Sequence, residues 1–190
     1  MRIVGGIWRG RPLQAPEGRG TRPTTDRTRE SIASMLLSAF DLDLSEVRML
    51  DAFAGSGAVG FELLSRGARS CTFVERDRRA ASIVQANAKA LGAAPSQARV
   101  QVGDVCALAA RGAVPGGPFD LVILDPPYAM EAATVERLLW DLREAGQLAP
   151  QAVILYEHAT GAPDLALEGA QLIKAKARGT TAVTLLRWGE

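Results

Sequence analysis

Val47-Arg-Met-Leu-Asp51-Ala-Phe53-Ala-Gly55-Ser-Gly57-Ala-Val-Gly60 reads as a short apolar strand that turns through glycines into a helix. Glycine at such a turn lets the backbone bend sharply and approach a ligand closely, and the new helix offers unpaired N–H groups at its start. Outward from this stretch, apolar runs and helical patterns alternate. The spacing predicts strands at 47–52, 70–75, 99–102, 119–124 and 152–156, with helices at 57–66, 78–91 and 132–144 and a short one before the loop 112–118. An earlier helix is expected over 24–40, with Thr24 or Thr25 as its N-cap and Ile32, Met35, Leu36 and Ala39 on one face. The tail changes character: 171–178 and 181–188, split by Gly179, read as a β-hairpin. The expectation is an α/β fold, a doubly wound and mainly parallel seven-stranded sheet ending in an antiparallel hairpin.

The chain of 190 residues is 47% hydrophobic with 19 glycines and 10 prolines, which suits one domain with a substantial core and a small appendage. No apolar run approaches the ~20 residues of a membrane span, and the basic, glycine-rich start lacks a signal-peptide core, so a cytoplasmic setting is expected. Cys71, Cys106 and His158 cannot form a standard structural zinc set, and no metal is expected. Both cysteines read as buried strand or helix residues, and His158 as structural.

A net charge of +1 conceals an asymmetry. Seven arginines among the first 30 residues face only Glu17, Asp26 and Glu30. Such a basic arm is either a solvated tail or a phosphate contact. Arginine in place of lysine, with Trp8 among the arginines, favours nucleic acid, because guanidinium pairs phosphate bidentately and stacks on bases. Residues 1–23 are therefore expected to form a loose extension that contacts nucleic acid and 24–190 the main domain, with Arg9, Arg11, Arg22, Arg27 and Arg29 as candidates for binding it.

Two constellations carry chemistry. Asp125-Pro126-Pro127-Tyr128 follows the buried strand 119–124, at the carboxyl edge where open α/β sheets bind ligands. A carboxylate, a rigid turn with free carbonyls and an aromatic ring are what holding a flat base by its exocyclic amine requires. The second is the glycine turn, followed by Glu75 ending the next strand and Asp104 ending the third. Gly55, Gly57 and Gly60 also satisfy the dinucleotide fingerprint, with Glu75 20 residues beyond Gly55. Asp51 opposes that reading, since it would meet a pyrophosphate with its own charge. Blander roles also exist: a strand-ending turn for 125–128, a helix cap for Asp51, and solvated carboxylates for Glu75 and Asp104.

Together these residues resemble the class I S-adenosylmethionine-dependent methyltransferases. The resemblance implies a Rossmann-like sheet, with Asp51, Phe53, Gly55 and Gly57 in the cofactor loop, Glu75 on the ribose hydroxyls and Asp104 on the adenine amine. Asp125-Pro-Pro-Tyr128 is similar to the amino-methyltransferase motif. More closely, Gly6-Ile-Trp8-Arg-Gly10-Arg11, then Arg22-Pro-Thr-Thr-Asp-Arg27-Thr-Arg29-Glu30, with Phe53-Ala-Gly-Ser-Gly57 and Leu64-Ser-Arg66-Gly67, resembles the bacterial 16S rRNA (guanine(966)-N(2))-methyltransferase family. Tyr128 stands where many members carry phenylalanine. The resemblance implies a cytoplasmic enzyme methylating 16S rRNA, within a 30S subunit or an assembly intermediate; a monomer is expected. Asp125 and the Pro126 carbonyl would take the two amine hydrogens while Tyr128 stacks on the flipped base. Adenine-N6 methylation of DNA or RNA is the alternative, because the same geometry holds either amine. Whether residues 24–29 meet cofactor or RNA stays open.

Overall fold

The computed structural model describes residues 1–16 and 26–189. Its elements run α1 (Asp26–Ala39), β1 (Arg48–Asp51), α2 (Ala58–Ser65), β2 (Ser70–Glu75), α3 (Arg78–Leu91), β3 (Ala98–Val102), α4 (Val105–Ala109), β4 (Phe119–Leu124), α5 (Ala132–Glu144), β5 (Leu148–Ala159), β6 (Ala170–Arg178) and β7 (Thr181–Trp188). One seven-stranded sheet has the order β3-β2-β1-β4-β5-β7-β6. β1 to β5 are mutually parallel, and β7 runs antiparallel to both β5 and β6. The expected doubly wound sheet with its antiparallel hairpin is therefore present. Among the described residues, no helix is long and apolar enough to cross a membrane.

Side-chain alternation explains why the central strands are apolar throughout. Met49, Phe73, Ile123 and Leu155 pack with α1, α2 and α3 on one face, whereas Leu50, Val74, Val122 and Ile154 pack with α4 and α5 on the other. Helix α2 sits unusually close to the sheet. A Cβ on Gly60 would lie 2.4 Å from the Phe73 ring and 2.9 Å from Cys71 Sγ, so only glycine admits this approach. Phe61 and Phe73 then meet with ring centroids 4.6 Å apart. α3 is capped at both ends: the Asp77 carboxylate accepts from the N–H groups of Arg79 and Ala80, and Gly92 closes it in the left-handed conformation.

The elements β2, α3, β4 and α5 have the predicted bounds. β5 is longer than predicted at both ends, because Leu148 pairs with Phe119 of β4 and Glu157, His158 and Ala159 pair with Val183, Ala182 and Thr181 of β7. α1 starts at Asp26, and the candidate caps Thr24 and Thr25 lie outside the described residues.

The expectation of a loose amino-terminal arm fails over residues 1–16. Ile3, Trp8 and Leu13 are buried in the same cluster as α1, α2 and α3. Arm and helix are joined through α2: the backbone N–H groups of Val4 and Gly5 donate to the buried Glu62 carboxylate, each at 2.8 Å, and Arg66 completes its pairing at 2.7 Å. Ser65 accepts from Trp8 N–H through Oγ and from Ile7 N–H through its carbonyl. Further along, Gln14 and Asn87 of α3 exchange two hydrogen bonds, and Asn87 also donates to the Ser56 carbonyl in the turn after β1. The segment thus packs as part of the sheet domain. Trp8 is 8% exposed, so it is a core residue rather than a stacking platform for bases.

Gly6 marks how tight this docking is. Its φ is +77° and an added Cβ would stand 1.8 Å from the Ser65 carbonyl oxygen, whereas Gly10 has a similar φ of +83° and open space around it. Gly6→Ala is expected to cost about 3 kcal/mol or more and Gly10→Ala about 1–2 kcal/mol, as measured by denaturant unfolding. Equal costs would mean that the arm is not held against α2.

Candidate active site

The carboxyl ends of β1, β2, β4 and β5 open onto one cavity of about 1170 Å³. Asp51, Phe53, Gly55, Glu75, Asp104, Asp125, Pro126 and Tyr128 all line it, so the two constellations separated by some 70 residues in the chain share one site. Gly57 does not reach the cavity. It serves as the N-cap of α2 with φ +75°, and a Cβ there would meet Phe61 at 2.7 Å. The edge of the cavity also carries Arg27, Arg29 and Ser31 from α1, and Lys176 and Arg178 from β6. Lys176 Nζ donates to Ser31 Oγ at 2.8 Å, tying the hairpin to α1 across the opening.

One half of the cavity is built from the first three strand ends. Gly55, with φ +54° and nothing within 4 Å of where a Cβ would stand, donates its N–H to Glu75 Oε2 at 2.8 Å. Glu75 Oε1 accepts from Asp77 N–H at 2.7 Å, so one carboxylate fixes both the glycine turn and the entry to α3. Asp104 caps α4 through Oδ1 alone, accepting from Cys106 and Ala107 N–H. Its second oxygen accepts nothing from the described residues. Glu75 and Asp104 therefore both have structural partners in the backbone, Glu75 half-buried and Asp104 exposed to the cavity.

The other half lies at the ends of β1, β4 and β5. Asp51, Ile123 and Leu155 are register partners, and Asp125 and Glu157 stand two residues further along the same sheet face. Asp51 is 4% exposed. Burial, then the charge of Asp125, lifts its pKa to about 7, against the partial opposition of a Gly60 N–H hydrogen bond. Asp125 is open to the cavity yet walled by protein on its other sides, and this desolvation raises it to about 6. Burial and then Asp125 push Glu157 to about 7. Beside Asp125, the Pro126 carbonyl accepts no hydrogen bond from the described residues, and the Tyr128 ring is 57% exposed. Among the described residues no three His, Cys, Asp or Glu side chains converge on a metal site.

The sequence reading missed Glu157, Lys176 and Arg178, and it misplaced some arginines. Arg29 is 1% exposed, paired with Asp26 at 2.5 Å and donating to the Arg2 carbonyl at 2.9 Å, so it braces α1 against the arm and presents no surface to RNA. Arg11 donates to the Ala90 and Leu91 carbonyls at the end of α3. Arg9 and Arg27 are exposed, and Arg22 lies outside the described residues. His158 is buried, stacked on Tyr156 with centroids 4.7 Å apart and 3.3 Å from Thr184 Oγ1, a structural role. Cys71 is buried in β2 and Cys106 half-buried in α4.

A sheet of this order whose β1 turn, β2 end and β3 end form one half-site, with an Asp-Pro-Pro-Tyr turn facing them, is that of a class I methyltransferase, the kind that uses S-adenosylmethionine. The residues present fit that cofactor, since a cationic ligand would offset the mutual repulsion of the closely spaced ionised carboxylates and Asp104 has an oxygen to spare. Residues 1–187 match the family model described as Conserved hypothetical protein 95, and the chain belongs to that family. It is 35% identical over 186 residues to a Haemophilus influenzae protein named ribosomal RNA small subunit methyltransferase D, covering 97% of this chain and 92% of that one. An Escherichia coli K12 protein of the same name is 38% identical over 157 residues, covering 83% and 74%. The solved structure of HI0767 from Haemophilus influenzae superposes with a TM-score of 0.82 at 30% identity, over 100% of this chain and 98% of that one.

Raised carboxylates have two pH consequences. The folded state keeps protons that the unfolded chain has released, so the ligand-free fold loses stability as pH rises from about 4 to about 7. Conversely, a cationic ligand needs the ionised forms. S-adenosylmethionine affinity is expected to weaken between about pH 8 and about pH 6, by up to about tenfold per unit for each coupled group, and Asp51→Asn to flatten that slope in titration calorimetry. A pH-independent affinity in the unmodified protein would contradict the electrostatic account.

Proposed function

We propose that the protein transfers a methyl group from S-adenosylmethionine to the exocyclic N2 of one guanine in 16S rRNA, presented by a 30S subunit or an assembly intermediate. The relatives' names support a small-subunit rRNA as substrate. The observation that carries the reading is the acceptor pair formed by Asp125 and the unengaged Pro126 carbonyl, beside the exposed Tyr128 ring and facing the cofactor half of the same cavity.

The cofactor supplies an electrophilic methyl on a sulfonium. The protein's task is to turn a poor nucleophile towards it. The lone pair of a guanine amine is delocalised into the ring, and acceptors on its two hydrogens localise density on nitrogen. Asp125 and the Pro126 carbonyl are two such acceptors fixed by a rigid turn, closed by Met130 N–H donating to the Pro127 carbonyl at 2.8 Å. Tyr128 offers a face on which a base taken out of its stack can rest. Asp125 orients and stabilises charge, since the amine becomes acidic once methylated. Exposed Arg9 and Arg27 are the cations proposed to meet phosphate.

The test is transfer of labelled methyl to small subunits and to 16S rRNA from cells lacking the protein, with nucleoside analysis. N2-methylguanosine at one site is expected, and N6-methyladenosine would overturn the substrate assignment. Asp125→Ala should reduce transfer by about 100-fold or more while leaving S-adenosylhomocysteine affinity within a few-fold. Arg9→Glu with Arg27→Glu should weaken RNA binding and lower its salt slope by about 1 to 2.

A further inference from the structure

Glu157 has no part in the mechanism above, yet it stands next to the proposed acceptor of the amine. The pairing of Leu124 with Tyr156 brings Asp125 and Glu157 out of adjacent strands side by side. Across the sheet, Glu157 is in register with Val183 of β7, and Val183 with Lys176 of β6. All four line the cavity. The charged groups around Glu157 are thus Asp125 just past β4, Asp51 beyond it on β1, and Lys176 and Arg178 on β6, with Lys176 engaged by Ser31. Glu62, Glu75 and Asp104 each accept backbone N–H bonds. Glu157 accepts no hydrogen bond and forms no ion pair among the described residues, although it is half-buried. A half-buried carboxylate that faces a cavity and has no donor among the described residues is available to a donor on a ligand.

We propose that Glu157 is a specificity residue, accepting the N1 hydrogen of the target base and so selecting guanine over adenine; this rests on the N2-guanine reading. The base edges decide the matter. Guanine presents the N1–H donor directly beside its N2 amine, whereas adenine presents a lone pair at N1 beside its N6 amine. With the amine hydrogens on Asp125 and the Pro126 carbonyl, the next group along the guanine edge is N1–H. A carboxylate there makes a charge-assisted hydrogen bond to guanine and a lone-pair repulsion with adenine. The elevated pKa values of Asp125 and Glu157 fit two neighbouring carboxylates awaiting donors. Sites built around a hydrogen bond to the substrate reject analogues lacking it far more strongly than apolar pockets reject a missing methylene.

The test uses rRNA, in the assembly state that the unmodified protein methylates, with its target guanine replaced by 2-aminopurine. That base keeps the N2 amine but carries a lone pair at N1. At about pH 8 the unmodified protein is expected to prefer guanine by about 100-fold or more in kcat/KM. Glu157→Gln, whose amide can donate to N1, should narrow that preference to within about tenfold, with S-adenosylhomocysteine affinity confirming an intact cofactor half. Glu157→Asp, which keeps the carboxylate, should retain the preference for guanine. An unchanged guanine to 2-aminopurine ratio in Glu157→Gln would overturn the proposal, as would an equal loss of transfer to both bases. If the unmodified protein forms N6-methyladenosine instead, the underlying guanine reading fails, and nucleoside analysis of that reaction shows it before any Glu157 variant is compared.

Discussion

The seat of α2 on the sheet is the contact on which the other features depend. At Gly60 the helix backbone comes so near to Phe73 that no side chain fits between them, and seven of the eight residues of α2 are buried. Its first turn begins where the β1 glycine turn ends, so the depth of the helix fixes the position of Gly55 over the cavity. Its far end presents Glu62, Ser65 and Arg66 to the amino-terminal segment. One close approach therefore sets both the ligand-facing turn and the arm, and Asn87 links the two through Ser56 and Gln14. A larger residue at position 60 would displace all three together.

The cavity concentrates negative charge where most folded proteins would avoid it. Asp51, Asp125 and Glu157 share one face of the sheet, and each is held above its ordinary pKa chiefly by burial. That arrangement opposes stability of the empty fold and favours a cationic ligand, a division of cost and benefit common at functional sites. A carboxylate matched by structural N–H groups, such as Glu62 or Glu75, serves the fold. One lacking such partners, such as Glu157, is available to a substrate.

Much of the layout was legible because periodicity is local. β2, α3, β4 and α5 carry unbroken patterns between glycine, proline and acidic stops, and their bounds came out as predicted. That Asp51, Glu75, Asp104 and Asp125 line one cavity was legible for the same reason, each standing at or just past a strand end. Glu157 was not, because its closeness to Asp125 arises from strand pairing over some 30 residues and leaves no mark in either segment. Arg29 could have been placed: it precedes Ile32 by three residues and Leu36 by seven, the spacing of one helix face, and that face is buried. The packing of the arm leaves as little local signal, since Ile3, Trp8 and Leu13 anchor it at wide intervals among polar and glycine residues that resemble a solvated tail.

The outermost strand carries one more consequence. β6 closes the sheet order and is exposed along nearly all its length, with Lys174, Lys176 and Arg178 alternating along its second half. An open row of main-chain donors and acceptors is a template on which another strand could zip. Here the template carries its own deterrent, because a second copy arriving edge to edge would bring the same cations into register. Like charges thus oppose growth of the sheet past β6, and the same cations at the rim of the cavity favour an anionic polymer there.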